Sequence, residues 1–129
     1  MSTFTFQNIY AWQKAHVFTK LVYQITKHFP DDERYGLTSQ FRRAAVSIGA
    51  NIAEGYKKIS KADKLRFMNI AECSMTECMN YILLSFDLEY INEEENNILC
   101  ASLDNAGKLL TAYPIVMESS TITQLNNLE

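Results

Sequence analysis

Apolar residues return along this chain with the period of a helix, in four successive stretches separated by short polar breaks. In the first, from about Asn8 to His28, Ala11, Ala15, Phe18, Val22, Ile25 and Phe29 follow at steps of three and four, which sets them on one side of a helix. The Phe29-Pro30 step ends it, because the residue before proline is pushed out of the helical region. Trp12, Thr19 and Tyr23 form a flanking stripe suited to meeting a neighbour.

The second stretch follows Asp31-Asp32-Glu33, whose charges suit a helix N-terminus, and its core face is Leu37, Phe41, Ala44, Ala45, Ile48 and Ile52. Gly55 reads as its C-terminal stop. Beside the apolar face runs a stripe of mostly short, uncharged polar residues: Gln40, Arg43, Ser47, Asn51 and Glu54. A third side carries Val46, Gly49 and Ala53, which let another backbone come close.

The third stretch opens with Ser60 as N-cap and Asp63 three residues on, and it extends to about Leu88. It has two apolar seams. One contains Leu65, Met68, Met75, Met79, Ile82 and Phe86; the other contains Ile70, Cys73, Tyr81, Leu84 and Leu88. A helix that is apolar on two sides must be covered on both, and four helices from one chain cover only one of them. The second seam therefore predicts self-association.

The fourth stretch starts at Asn92, a side-chain cap followed by Glu93-Glu94-Glu95. Its seam of Leu99, Leu103, Ala106, Leu110, Tyr113 and Met117 has coiled-coil-like spacing, and Pro114 should kink or end it. Four such helices with short connections predict an all-α fold, an antiparallel up-down-up-down four-helix bundle. It forms one domain over residues 1–118, with a polar tail over 119–129.

With 129 residues, 47% apolar and 21% charged, one soluble domain is the default, and four Gly and two Pro leave too few turns for a many-stranded fold. Charge-free runs such as Ala44 to Ala53 are shorter than a membrane span, and no Lys or Arg in the first thirteen residues begins a secretion signal. The expected location is the cytoplasm. Cys73, Cys78 and Cys100 form no paired motif and read as buried thiols. The net charge of -3 hides a polarity: residues 34–66 hold eight Lys and Arg against two acids, whereas residues 67–129 hold one Lys against ten acids.

The chain lacks the residues of the enzymes that helical bundles host. His16 and His28 are the only histidines and precede every Glu, which excludes Glu-x-x-His di-iron and HExxH zinc helices. They also precede every Arg, which excludes ribonucleases that place a His four to six residues after an Arg. No glycine-rich phosphate loop or GxSxG elbow is present. Glu54, Glu72 and Glu77 could converge, but carboxylates on long helices are more often capping, paired or network groups. The expectation is a protein without catalysis, cofactor, metal or small-molecule substrate.

The stretch from Phe29 to Gly55 contains Gln40-x-x-Arg43-Ala44-Ala45-x-Ser47-Ile48-x-x-Asn51-Ile52-Ala53-Glu54-Gly55. Together with Trp12-Gln13-Lys14-Ala15 and the Ala71-x-x-Ser74-Met75-x-Glu77 pattern, it resembles the four-helix-bundle family of 23S ribosomal RNA intervening sequence proteins, over about residues 6 to 113. The resemblance implies assembly into a homopentamer, in agreement with the second seam. Relatives so implied include the accessory protein of diversity-generating retroelements, a basic pentamer that binds its reverse transcriptase and nucleic acid. The present chain differs from it in its pI of about 5.4.

Three groups of residues are thus candidates for function. Arg42, Arg43, Lys57, Lys58, Lys61, Lys64 and Arg66 are candidate nucleic-acid contacts, and fivefold repetition would turn them into a ring with salt-sensitive binding. Gln40, Arg43, Ser47, Asn51 and Glu54, joined by Ser74 and Glu77, read as a network that fixes helix register, because an unpaired buried polar group costs roughly 1–3 kcal/mol. Ile70, Cys73, Tyr81, Leu84 and Leu88 are the candidate oligomer interface. The functional expectation is a homo-oligomeric scaffold that binds RNA or a nucleoprotein; the alternative is a protein-interaction module with no nucleic-acid role.

Overall fold

The structure, a computed structural model, describes residues 5–112. Four helices make up most of this span: α1 (Tyr10–Thr26), α2 (Leu37–Lys57), α3 (Lys61–Asp87) and α4 (Glu93–Thr111). Short 3-10 turns lie at Thr5–Asn8 and Asp31–Glu33, and the described residues contain no strand. The helices pack in a ring, α1 against α2 and α4, and α3 against α2 and α4. Inside it lies one core, in which Phe18, Val22, Phe41, Ile48, Ile52, Met68, Ile82, Leu99 and Leu110 are fully buried. Each such large side chain contributes about 1.5–3 kcal/mol when removed from water.

The expected seams of α1, α2 and α4 face this core. Ala11, Ala15, Phe18 and Val22 on α1, all six core positions of α2, and Leu99, Leu103, Ala106 and Leu110 on α4 are buried. Tyr113, Pro114 and Met117, and the boundary placed at 118, lie outside the described residues. On α1, Thr26 closes the buried row, its hydroxyl donating to the Val22 carbonyl at 2.7 Å, so that a polar residue sits in the core with its donor satisfied.

The helix ends explain themselves from local chemistry. Ser60 Oγ accepts the Asp63 amide at 3.1 Å, and Asn92 and Glu95 form a reciprocal capping box at 2.8 and 2.9 Å. Asp31–Glu33 do not form the first turn of α2. They make a 3-10 turn of their own, and Glu33 Oε1 reaches forward to accept the Leu37 amide at 3.2 Å while Oε2 accepts from the Tyr90 hydroxyl at 2.9 Å. At the end of α3 the Tyr90 amide returns to the Ser85 carbonyl and the Glu89 amide to Phe86, a Schellman motif whose pivot, Glu89, has φ 63°.

Gly55 is not a helix stop. It is buried inside α2, which continues to Lys57. A Cβ there would stand 2.6 Å from Met68 Cε and 2.9 Å from Phe67 Cβ, so the missing side chain lets α2 and α3 approach each other. Gly49, by contrast, receives the Trp12 indole, with Nε1 3.5 Å from where its Cβ would be. The close approach on that side involves a ring, not a backbone.

Candidate functional site

Helix α3 presents the first candidate surface. Its inner face, Met68, Ala71, Ser74, Met75, Cys78, Ile82 and Ser85, is buried. About a third of a turn round the helix from it, Ile70 and Leu84, with Leu88 at the C-cap, remain 40%, 42% and 44% exposed, with Cys73 exposed between Ile70 and Leu84. Ile70, Glu77 and Leu84 are seven residues apart and fall in line, so Glu77 interrupts the apolar strip at its middle. Tyr81 belongs to a different environment from the one expected. It is half-buried, its ring 5.8 Å from that of Phe41, and its hydroxyl lies 2.7 Å from Glu77 Oε2 and 3.1 Å from Gln40 Oε1. The bond to Glu77 pushes the Tyr81 phenol up to about 12. Phe86, expected inside, is exposed, as is the neighbouring Leu83.

Between α2 and α3 the structure brings part of the polar stripe together. Ser47 Oγ and Ser74 Oγ lie 2.9 Å apart, and Asn51 Nδ2 donates to Ser47 Oγ at 3.0 Å and to the Ser47 carbonyl at 2.8 Å. Gln40 and Glu77 join through Tyr81 as described. Arg43 and Glu54 are exposed at the edge of this groove and make no bond to the Ser47–Ser74 pair.

The basic residues form two groups. Fourteen residues of helix separate Arg43 from Lys57, which is about 21 Å at 1.5 Å per residue. At the C-terminal end of α2, several cations are held by the protein itself. Lys64 Nζ donates to the Tyr56 carbonyl at 2.6 Å and burial lowers its pKa. The Lys58 ammonium stands 4.9 Å from the Phe67 ring centre, and Arg66 lies 3.6 Å from Asp63 and 5.3 Å from that same ring. Lys57 and Lys61 are exposed. Near the start of α2, Arg42 Nε donates to Thr26 Oγ1 at 2.8 Å, and the guanidinium stacks 4.8 Å from the Tyr23 ring.

The thiols differ from one another. Cys78 is fully buried, and burial first, then the Glu77 charge, pushes it up to about 12. Cys100 is half-buried, and Cys73 is exposed, contrary to the expectation that all three are buried. All three are free, and among the described residues no group of His, Cys, Asp and Glu could hold a metal ion.

These features define a small all-helical protein whose marked residues serve helix-to-helix contact: Ala44, Ala45, Ile48 and Ile52 fill the core, Ser47, Asn51 and Ser74 bond across α2 and α3, and Gly55 admits α3. The family model described as "23S rRNA-intervening sequence protein" matches residues 7–112, and the chain belongs to that family. Among solved structures it is similar to a protein of unknown function from the S23 ribosomal protein family of Bacteroides thetaiotaomicron, with 26% identity and a TM-score of 0.73, over 80% of this chain and 96% of that one. No curated protein matches the chain. Among the described residues no helix is long and apolar enough to cross a membrane.

Proposed function

We propose that the protein is a non-enzymatic homo-oligomeric scaffold, a pentamer of antiparallel up-down-up-down bundles, that binds RNA or a nucleoprotein in the cytoplasm. The observation that carries this reading is the apolar strip of α3. Ile70, Leu84 and Leu88 are each at least 40% exposed on a helix whose other face already fills the core. Exposed apolar area arrayed along one helix is the signature of a contact surface, and in a closed ring of five each copy sets this strip against a different surface of its neighbour, the heterologous contact from which rings are built. Tyr81 supports the reading by meeting the Glu77 carboxylate within the strip, which lowers the cost of covering it. The pentameric number follows from the resemblance of the motif residues to the family, and the nucleic-acid half from the two basic groups on α2 and the start of α3.

Leu84→Glu and Leu88→Glu test the assembly. Light scattering should report smaller particles while circular dichroism reports unchanged helicity. Particles of unchanged size would remove the strip from the interface, and lost helicity would place these residues in the monomer core.

A further inference from the structure

We infer that nucleic acid is held as a single strand in the cleft between the end of α1 and the start of α2, and not along the 57–66 segment; this rests on the RNA-binding reading above. The cleft has a volume of about 680 Å³, and all its lining residues fall between Tyr23 and Val46, so none comes from α3, which carries the apolar strip. Four cations line it, Lys27, Arg34, Arg42 and Arg43, against the single carboxylate of Asp31. The cleft beside Lys57 and Lys58, about 550 Å³, contains Glu54 and Asp63 as well and is balanced in charge. A third, about 720 Å³ at the α3–α4 turn, is lined by Asp87, Glu89, Glu93 and Glu95 with no cation and would repel a phosphate. Of the three, the α1–α2 cleft has the charge that a phosphate backbone requires.

Its cations are also arranged for use. Arg42 is fixed by its bonds to Thr26 Oγ1 at 2.8 Å and to the Tyr23 carbonyl at 3.4 Å, which occupy two of the five N–H donors of a guanidinium and leave the others for a ligand. A guanidinium held in place loses little freedom when it binds a phosphate oxygen. Tyr35 is 88% exposed at the cleft, with the Arg34 guanidinium 6.0 Å from its ring centre. An exposed tyrosine beside arginines provides a stacking platform next to a phosphate site, the combination that holds unpaired bases without reading their sequence. A duplex keeps its bases stacked inside and cannot use that ring.

Fluorescence anisotropy of the intact protein with a labelled single-stranded RNA, and with a duplex of the same sequence, tests this at low salt. The single strand should bind more tightly, and Tyr35→Ala should weaken it about tenfold. Arg34→Ala with Arg43→Ala should weaken it further and flatten the logarithmic salt dependence by about 1.4, roughly 0.7 for each lost phosphate contact. These side chains are exposed, and unchanged melting temperatures would confirm that the variants fold. Lys57→Ala with Lys58→Ala should change affinity less than about twofold, because the two groups stand apart on α2. If the Lys57 and Lys58 pair abolishes binding while the cleft variants bind normally, or if duplex binds as well as single strand, the cleft assignment is wrong and RNA binding stands. If neither RNA binds, the RNA-binding reading itself fails, and the cleft assignment with it.

Discussion

Helices α3 and α4 are neighbours joined by one turn, yet they relate to the core differently. On α4, Leu99, Leu103, Ala106 and Leu110 form a single stripe, and all of it is buried. On α3 a comparable stripe is buried, but Ile70, Leu84 and Leu88 stand outside on a second face about a third of a turn away. The fold of one chain covers the whole α4 stripe and leaves only Ile98 of that helix's large apolar residues exposed, whereas on α3 Ile70, Leu83, Leu84 and Phe86 all stay outside. A single seam is a statement about folding; a second seam on the same helix is a statement about what the folded chain must still meet.

Substitution of one α3 face at a time sharpens this contrast most. Ile82→Ala on the inner face should cost about 2–5 kcal/mol of stability through the cavity it leaves, read by chemical denaturation. Leu84→Ala on the outer face should change it by no more than about 0.5 kcal/mol when measured in a Leu88→Glu background, where copies are separate. Similar losses at the two positions would erase the distinction between the faces.

The turn between the two helices allows a smaller test. Glu89 occupies the left-handed region at φ 63°, where an L side chain is disfavoured by roughly 1–2 kcal/mol and glycine is not. Glu89→Gly should raise stability by about 1 kcal/mol or less, as the greater freedom of the unfolded chain offsets part of the relief. A fall in the melting temperature would show that Glu89 contributes more than its conformation costs.

The cysteines of α3 report on the same two faces without any change in stability. Cys78, buried and with its thiol pushed up to about 12, should resist alkylation near pH 8 until the protein unfolds. Cys73 should react slowly in the wild-type assembly and quickly in Leu84→Glu. Equal rates in the two proteins would mean that the strip around Cys73 is not what assembly covers.

How much of this was legible in the sequence depended on whether one residue type had one meaning. The seam of α4 and the core face of α2 were readable because each forms one unbroken helical-period stripe, with only Val46 and Ile98 as large apolar residues exposed off it. The caps at Ser60 and Asn92 were readable because their hydrogen bonds are local. Gly55 is ambiguous in the sequence because a helix stop and a close helix approach call for the same residue, and only the position of Met68 and Phe67 separates them. Spacing alone sets Tyr81 on the outer seam, yet a long ring can turn inward onto Phe41 and carry its hydroxyl to Glu77. The polar stripe was legible as a stripe, while the Ser47–Ser74 contact at its centre depends on which face α3 turns to α2. The cleft around Arg42 was the least legible, since Lys27, Arg34 and Tyr35 lie in connecting or terminal segments that no helical period brings to Arg42.

Sedimentation velocity of the wild-type protein across a dilution series tests the central claim most directly. The account predicts an assembly several times the 14.8 kDa mass of one chain, with a pentamer as the expected species, that persists into the low micromolar range. A well-folded species of one-chain mass at every concentration would contradict it, because the outer strip of α3 would then be content in water.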